Sequence, residues 1–308
     1  MDFLLKAQGK TWDGLIDEDM NIADLDRDAL QYFRKHAIES KRLTEKESRR
    51  SDNDLLDKLG LIKQGQFTKA CAILFSKNSE KSVFGAYLKI GMFRGKTGLV
   101  FQDEIHVPAI MAPDKAIELL FQKYFKALVS YEGIYRVETF PVEREAVREA
   151  ILNAVVHRDY MTGSPIAIKV TDSQDVTIYN DGRLPDNWTI DTLLALHKSV
   201  PRNPLIAGTF FRSGAIETWG RGVEKMNILC DENNSPRPTF KSIGNDLAIT
   251  FEYSEKYKDP ENHWATSTKD PVKWAGDPIN DHVNDHVKLS QTATTVLEII
   301  KKDTSYRL

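Results

Sequence analysis

The segment Arg148–Tyr160 reads REAILNAVVHRDY, and its spacing decides how the surrounding chain folds. Glu149, Asn153 and His157 follow one another at intervals of four residues, so a helix places them on one face. The apolar side chains of the opposite face are Ile151, Leu152, Val155 and Val156. A carboxylate, an amide and an imidazole in one stripe can orient water, hold hydrated Mg²⁺ through oxygen and contact phosphate. The alternative is an amphipathic helix with an ordinary solvated face.

Two glycine-containing segments follow this helix in the chain. Tyr179–Pro185 reads YNDGRLP and comes directly after a predicted strand, where Asn, Asp, Gly and Pro are typical of a turn. Thr218–Val223 reads TWGRGV and opens a predicted helix. This context favours a binding site over a solvated face for the polar stripe.

The order of these segments resembles the Bergerat-type ATP-binding fold, which gyrase, Hsp90, histidine kinases and MutL share. The E-x-x-x-N-A box of that family is matched by Glu149, Asn153 and Ala154, and its glycine pair by Gly220 and Gly222. The resemblance implies that Glu149 is the catalytic residue that activates water and that Asn153 binds Mg²⁺. It also implies that the helix start at the glycine pair receives the phosphates of ATP on backbone N–H groups.

The adenine box of the family, D-x-G-x-G, is matched with two departures. The alignment that keeps Gly182 puts Asn180 at the adenine-reading position, and Leu184 replaces the second glycine. The Asn180 carbonyl can accept a hydrogen bond from an amino group, and Asp181 is the alternative reader after a small shift of the turn. The resemblance places the Thr250 hydroxyl beside this position. The implied nucleotide-binding residues are Asn153, His157, Asn180, Asp181, Gly182, Gly220, Arg221, Gly222 and Thr250.

More narrowly, the chain resembles bacterial ATP-binding transcriptional regulators that are related to the helicase RecG. The segments that carry this resemblance are REAILNAVVHRDY, NDGRLP, residues 201–207 and residues 217–222. It covers residues 9–255 and implies a Schlafen AlbA-like DNA-binding region before the ATPase-like domain and a winged helix after it. DNA is therefore an expected partner by resemblance, and a homo-oligomer is left open.

Relative to this family, we expect the chain to be truncated at both ends. Residues 8–14, QGKTWDG, resemble a stretch that lies late in the AlbA-like region. Residues 289–308 supply only the first helix of a winged helix, at 291–302. Residues 254–288 have the composition of a solvated linker, and the alternative for its two histidines, His282 and His286, is a metal site.

Periodicity predicts an α+β protein with a small mixed α/β amino-terminal region, and then a linker and one terminal helix at the carboxyl end. The resemblance implies that a GHKL-like two-layer α/β sandwich lies between them. The expected domains are the AlbA-like part (1–112), the Bergerat-type domain (113–254) and the linker with an incomplete winged helix (255–308). Helices are predicted at 24–40, 114–129, 142–157, 189–196, 204–211 and 222–229. Strands are predicted at 69–76, 86–93, 99–107, 134–139, 166–170, 176–179, 239–243 and 247–253.

Composition limits the class of protein. The 42 Lys and Arg residues nearly balance the 45 Asp and Glu residues, so bulk charge gives no argument for nucleic-acid binding. The basic side chains of residues 41–50 are either a solvated face or a phosphate contact. Cys71 and Cys230 cannot form a disulfide framework or a zinc site. With no apolar stretch of about 18 residues and no signal peptide, we expect a cytoplasmic protein without a membrane partner.

Two other motifs are excluded by their surroundings. Gly91–Thr97 is one residue short of G-x-x-x-x-G-K-T, and a strand-rich segment follows where a phosphate-binding helix has to begin. We therefore predict a hairpin turn there and no helicase motor. A protein-kinase loop is excluded because Ser164 stands where the required Asn would follow Asp159. For Arg158 and Asp159, an ion pair or a helix-end cap is favoured over catalysis.

Two functions remain, from different classes. In the first, the chain binds ATP with Mg²⁺, and binding or slow hydrolysis switches a DNA-bound regulator. In the second, the chain is a non-catalytic scaffold for protein or DNA that kept the fold after losing the nucleotide. The intact pair Glu149 and Asn153 favours the first function, whereas Asn180 and Leu184 favour the second.

Overall fold

A computed structural model describes most of the chain up to Lys258. These residues all belong to one compact unit, Met1–Thr266. Most of the expected linker, both of its histidines and the expected helix at 291–302 lie outside the described residues, as do Thr218 and Trp219. The described residues are 5, 8–95, 97–132, 134–172, 174–185, 187–195, 197–217 and 220–258.

The amino-terminal part of the chain is mainly helical. Its first long helix begins after Asp26, whose side chain accepts a hydrogen bond from the backbone N–H of Ala29. This helix confirms the one predicted at 24–40, with ends that differ by a few residues. The elements are α1 (Arg27–Glu39), α2 (Glu45–Ser48), α3 (Asp52–Lys58), β1 (Ile62–Lys63), β2 (Gln66–Phe67) and α4 (Lys69–Phe75).

The strand predicted at 69–76 is wrong, because these residues form helix α4. Thr68 caps the helix by accepting a hydrogen bond from the backbone N–H of Cys71 at 3.3 Å. Residues 70–75 are all buried, so α4 has no polar face. Periodicity cannot distinguish such a short apolar run from a buried strand.

Six strands form the sheet on which the rest of the fold is built. They are β3 (Leu88–Arg94), β4 (Gly98–Ile105), β7 (Ile166–Thr171), β8 (Asp175–Asp181), β9 (Thr239–Ile243) and β10 (Asp246–Glu252). The order is β4-β3-β7-β8-β10-β9, and only the β3–β7 pair among these neighbours is parallel. All six strands were predicted from their apolar alternation and flanking turns, and the structure confirms them.

The predicted assignment of β3 and β4 to a separate small amino-terminal sheet is wrong. β3 pairs with β7 from Leu88, opposite Ile166, to Phe93, opposite Thr171. Residues on both sides of the expected boundary at 112 therefore contribute to one sheet. The three-part domain division itself stays a prediction.

The segment that resembles a P-loop is a hairpin turn, as predicted. β3 ends at Arg94, Gly95 has a φ of +60°, and β4 begins at Gly98 and pairs antiparallel with β3. A positive φ suits glycine because it has no Cβ. Among the described residues of this turn, no helix begins that could hold a phosphate.

Helices cover the sheet and complete an α+β fold of the two-layer sandwich type. The central one, α6 (Arg144–His157), contacts the sheet at β8 and three neighbouring helices, α5 (Ala112–Leu119), α8 (Pro204–Ser213) and α9 (Gly222–Glu232). It buries apolar residues on most sides, because it lies between the sheet and these neighbours. The helices are α5 (Ala112–Leu119), α6 (Arg144–His157), α7 (Ile190–Leu194), α8 (Pro204–Ser213), α9 (Gly222–Glu232) and α10 (Glu255–Lys258).

Two predicted boundaries need correction. The helix predicted at 114–129 ends earlier, because α5 passes into a π-helical turn, Leu120–Tyr124, and Leu128 begins strand β5 (Leu128–Glu132). β5 forms an antiparallel hairpin with β6 (Tyr135–Thr139). The predicted linker also begins later, since α10 occupies its first residues and the Tyr257 hydroxyl donates to the Lys126 carbonyl at 2.9 Å.

The basic segment 41–50 includes a residue with a structural role. The Arg42 guanidinium donates to the carbonyl oxygens of Phe211 and Ile216, the latter at 3.1 Å. Its Cζ atom lies 3.9 Å from the centroid of the Phe211 ring. Arg42 therefore binds the carboxyl-terminal end of α8, where helix carbonyls favour a cation, and is not simply solvated.

Asp13 joins the amino-terminal segment to the start of α8. Its carboxylate is fully buried and accepts hydrogen bonds from the backbone N–H groups of Leu205 at 2.7 Å and Ile206 at 3.2 Å. The Thr11 hydroxyl donates to the other carboxylate oxygen at 2.6 Å. Burial raises the pKa of Asp13, and the three hydrogen bonds oppose that shift. Asp13 therefore caps a helix that is nearly 200 residues away in sequence.

We expect Asp13→Ala to destabilise the protein by roughly 1–3 kcal/mol, because it leaves two N–H groups at the start of α8 without an acceptor. Urea unfolding of the variant and the parent measures this difference. Glu18→Ala is the matched control, since Glu18 is an exposed carboxylate of the same segment. Equal losses in both variants would show that the cap does not stabilise α8.

Candidate functional site

A cavity of about 140 Å³ lies between α6, the start of α9, strands β8 and β10, and residues 182–201. All of the predicted site residues except Asp181 and Thr250 line it. These residues come from three segments that are far apart in sequence. The fold therefore brings the polar stripe, the turn after β8 and the glycine pair to one place.

Glu149 is the most enclosed charged residue of the polar stripe, with 6% of its surface exposed. Its Oε1 atom accepts a hydrogen bond from Asn153 Nδ2 at 3.4 Å. Its Oε2 atom accepts one from the ammonium group of Lys225, a residue of α9, at 3.0 Å. The carboxylate is thus held between two helices, and its two oxygens have different partners.

The start of α9 approaches this carboxylate and amide very closely. A Cβ atom added to Gly222 would lie 2.9 Å from Glu149 Oε1 and 2.9 Å from Asn153 Nδ2, which is closer than real Cβ contacts. Gly220 has a φ of +68°, and a Cβ there would lie 2.6 Å from the His197 carbonyl oxygen. Both glycines are therefore required by geometry, one by close approach and the other also by its backbone conformation.

The amino-terminal N–H groups of α9 are available to a ligand. No side chain in the described part of the chain caps this helix, and the guanidinium of Arg221, the N-cap residue, donates to Glu224 at 2.8 Å instead. A helix N-terminus carries partial positive charge, so it attracts anions such as phosphate. Arg221 adds a full positive charge at the same edge of the cavity.

His157, the last residue of the stripe, lies at the carboxyl-terminal end of α6. Its pKa is lowered to about 4, mainly by burial and also by the nearby Arg202 and His197. The imidazole is therefore neutral at pH 7. It can contact a phosphate as a hydrogen-bond donor, but not as a cation.

His157 should make the protein less stable in acid. The unfolded chain takes up a proton near the ordinary pKa of 6.5, whereas the folded protein resists protonation down to about pH 4. Stability is therefore lost as pH falls from about 6.5 to about 4, by at most roughly 3 kcal/mol. Urea unfolding of the parent and of His157→Gln at pH 7.5, 5.5 and 4.5 measures the effect. A parallel pH dependence in the two proteins would contradict it.

The turn after β8 provides a buried polar atom without a partner. Asn180 is 4% exposed, and its Oδ1 atom has no hydrogen-bond partner among the residues that the structure describes. A buried amide oxygen normally accepts a hydrogen bond, because burial without one costs free energy. Gly182 follows closely, and a Cβ there would lie 2.7 Å from the His157 carbonyl oxygen. This part of the cavity wall can accept a ligand's amino group after a small adjustment.

Asp181 and Thr250 do not line the cavity. Asp181 ends β8 opposite Asp246, and its carbonyl oxygen accepts from the backbone N–H of Asp159 at 2.6 Å. Thr250 shares a hydrogen bond of 2.9 Å with the hydroxyl of its neighbour across the strands, Thr177. Side chains alternate along a strand, so Thr250 faces away from the cavity that the preceding residue, Ile249, lines.

Arg158 and Asp159 have separate roles. Asp159 forms an ion pair with Arg202 at 3.1 Å, which agrees with the ion-pair prediction for Asp159 but not for Arg158, and its carboxylate also accepts from the backbone N–H of Met161 at 3.1 Å. The Arg158 guanidinium is buried, and its Cζ atom lies 4.7 Å from the centroid of the Tyr160 ring. Neither residue lines the cavity.

Several residues in the cavity or beside it were not predicted. Lys225 contacts Glu149, and Trp188 packs edge-on against His197 with ring centroids 4.6 Å apart. The apolar wall includes Leu184, Met226, Phe240, Leu247 and Ile249. The position of Lys225 one turn after Gly222 was visible in the sequence, but the residue that it faces was not.

The donor set suits magnesium only in combination with a ligand. Among the described residues, no group of three or more His, Cys, Asp and Glu side chains could hold a metal ion by itself. Asn153 Oδ1 lies 3.4 Å from the position of a Cβ on Gly222, at the helix start where phosphate can bind. An amide oxygen, phosphate oxygens and water are ligands that Mg²⁺ accepts. The residues present therefore fit a magnesium ion that arrives with a phosphate.

In the part of the chain that the structure describes, no helix is both long enough and apolar enough to cross a membrane.

Comparisons with known proteins agree with this geometry. Residues 163–251 match the family described as "Putative ATP-dependent DNA helicase recG C-terminal", a region that contains Asn180, Gly182 and all of α9. The crystal structure of the DIP2311 protein from Corynebacterium diphtheriae has a similar fold over 86% of this chain, with a TM-score of 0.65 and 20% identity. The aligned part is 54% of that protein, so this chain spans about half of its length. No curated protein matches the sequence. Together, the family match and the cavity support an ATPase-like, nucleotide-binding domain in this part of the chain.

Proposed function

We propose that the chain binds ATP with Mg²⁺ in the cavity between α6 and α9, and that binding, with slow hydrolysis, acts as a molecular switch. The close approach of Gly222 to both Glu149 and Asn153 carries this proposal. It puts a helix N-terminus, a magnesium ligand and a general base within a few ångströms of one another. A solvated amphipathic face has no need for such an arrangement.

The two ends of the cavity suit the two ends of the nucleotide. The unpartnered Oδ1 atom of Asn180 can accept a hydrogen bond from the exocyclic amino group of adenine, while Phe240 and Met226 supply apolar surface for the base. The start of α9, with Gly220 and Gly222, receives the phosphates on its N–H groups. Asn180 thus takes the role that an aspartate has in the resembling ATPases.

In hydrolysis, Glu149 is the general base. Its carboxylate takes a proton from water as the water oxygen bonds to the γ-phosphorus, and the bond from that phosphorus to the β,γ-bridging oxygen breaks with its electron pair staying on ADP. Asn153 Oδ1 would hold Mg²⁺, and the ion would supply positive charge beside the phosphates. Asn153 also fixes the Glu149 carboxylate through its amide N–H.

The regulatory part of the proposal rests on resemblance. A chain of this type is expected to couple nucleotide binding to a DNA-bound AlbA-like region, with no helicase motor. The family match at 163–251 and the segments that resemble the RecG-related regulators support this part of the proposal.

Calorimetric titration with a non-hydrolysable ATP analogue, with and without Mg²⁺, tests the proposal. We expect saturable binding that strengthens with Mg²⁺. If a folded protein binds no analogue at millimolar concentration, the chain is a scaffold that has lost the nucleotide. A parallel titration with a GTP analogue tests whether Asn180 recognises the base, because guanine presents a carbonyl where adenine presents its amino group.

A further inference from the structure

A second hollow adjoins the nucleotide cavity on the other side of Glu149. Its volume is about 180 Å³, and its charged walls come from Glu149, Glu217, Arg221 and Lys225. Glu149 and Gly222 line both spaces. The Glu149 carboxylate therefore forms part of the partition between them, with Asn153 on one oxygen and Lys225 on the other.

The ion pair has one fixed member and one mobile member. The Glu149 side chain is 7% exposed and is held by α6, whereas the Lys225 side chain is 44% exposed. Lysine has a flexible four-carbon stem, so its ammonium group can move several ångströms while the backbone of α9 stays in place. A change of partner is thus easier for Lys225 than for Glu149.

Lys225 lines the second hollow and not the nucleotide cavity, and it reaches the partition between them at Glu149. Lys225 is in the first turn of α9, one turn after Gly222. Its Nζ atom lies 3.0 Å from Glu149 Oε2, and Gly222 lies close to Oε1, the other oxygen of the same carboxylate. Phosphate at this helix start carries more negative charge than a carboxylate, so it competes for the ammonium group. Arg221 is less suited, because its Nε donates to Glu224 and its side chain is 54% exposed.

We propose that Lys225 reads the terminal phosphate of the nucleotide: it pairs with Glu149 when no triphosphate is bound and moves to a γ-phosphate oxygen when ATP binds. The exchange leaves Glu149 Oε2 free to accept a proton from water. ADP has no γ-phosphate, so the Lys225–Glu149 pair persists beside it. Lys225 thereby distinguishes ATP from ADP. It also keeps the Glu149 carboxylate from accepting a proton from water until ATP is bound. This inference rests on the proposed function.

The test compares the dissociation constants of a non-hydrolysable ATP analogue and of ADP for the parent and for Lys225→Met. We expect the analogue to bind about tenfold or more weakly to the variant, and ADP to bind within about twofold of the parent. Lys225→Arg should keep part of the preference. Lys89→Met, which removes an exposed lysine on β3, is the matched control and should change neither constant.

Glu149→Gln provides an independent readout. Without the carboxylate charge, Lys225 is released, so the ATP analogue should bind several-fold more tightly while ADP is unchanged. If Lys225 only supported the structure, its removal would weaken the binding of both nucleotides equally or of neither. Either result overturns the inference but leaves the proposal of ATP binding intact. Failure of the parent to bind either nucleotide would instead overturn the proposed function, and this inference with it.

Discussion

Asn153→Ala should reduce the affinity for an ATP analogue in the presence of Mg²⁺ by about 100-fold or more. The substitution removes the only protein oxygen that we assign to the metal and also the N–H that holds Glu149 at 3.4 Å. Glu149→Gln should not weaken binding, and it should reduce hydrolysis by roughly 10²–10⁴-fold, because it removes the general base. Titration calorimetry and phosphate release measure the two effects separately.

Glu145→Ala is the control for both substitutions. Glu145 is an exposed residue of the same helix and does not line the cavity. Its loss should leave binding, hydrolysis and the unfolding midpoint nearly unchanged. The assignment of the metal ligand is wrong if Asn153→Ala binds the analogue as the parent does, with the same dependence on Mg²⁺.

Gly222→Ala should weaken binding of the ATP analogue at least about tenfold, although alanine is normally the better helix residue. The new Cβ would lie 2.9 Å from both Glu149 Oε1 and Asn153 Nδ2, so the two side chains have to move apart from α9. It also adds bulk at the helix start that receives phosphate. Binding is measured by calorimetry, and the unfolding midpoint is measured on the same samples.

The matched control is Gly208→Ala. Gly208 lies inside α8, and a Cβ there meets no atom within 4 Å. This variant should be stabilised by roughly 0.5–1 kcal/mol with unchanged nucleotide affinity. If Gly222→Ala behaves in the same way, the close approach at the start of α9 has no part in binding.

The sequence predicted the local features of the site well, because they depend on spacing within one element. The four-residue interval of Glu149, Asn153 and His157 was sufficient to place them on one helix face, and these three residues do line one cavity. The glycines at 220 and 222 indicated that the start of α9 lies close to other parts of the chain. The roles of these residues remain predictions that the variants above test.

Features that depend on contacts distant in sequence were not predicted. The partner of Glu149, Lys225, lies 76 positions away, and periodicity cannot show which helix faces which. Thr250 was placed beside the adenine reader, but strand alternation turns it toward Thr177. Helix α4 was mistaken for a strand, since full burial removes the polar positions that reveal a helical period.

The parallel pairing of β3 with β7 limits how the ATPase-like segment can be separated from the rest of the chain. The family match begins at residue 163 and includes β7, β8, β9 and β10, whereas β3 and β4 come from earlier residues. A fragment that starts at residue 113 would keep β7 but lose its neighbour, leaving a row of backbone N–H and C=O groups along one edge. Such an edge pairs readily with strands of other molecules. Excised fragments are therefore prone to aggregate, and a fragment intended for biophysical work should begin before Leu88.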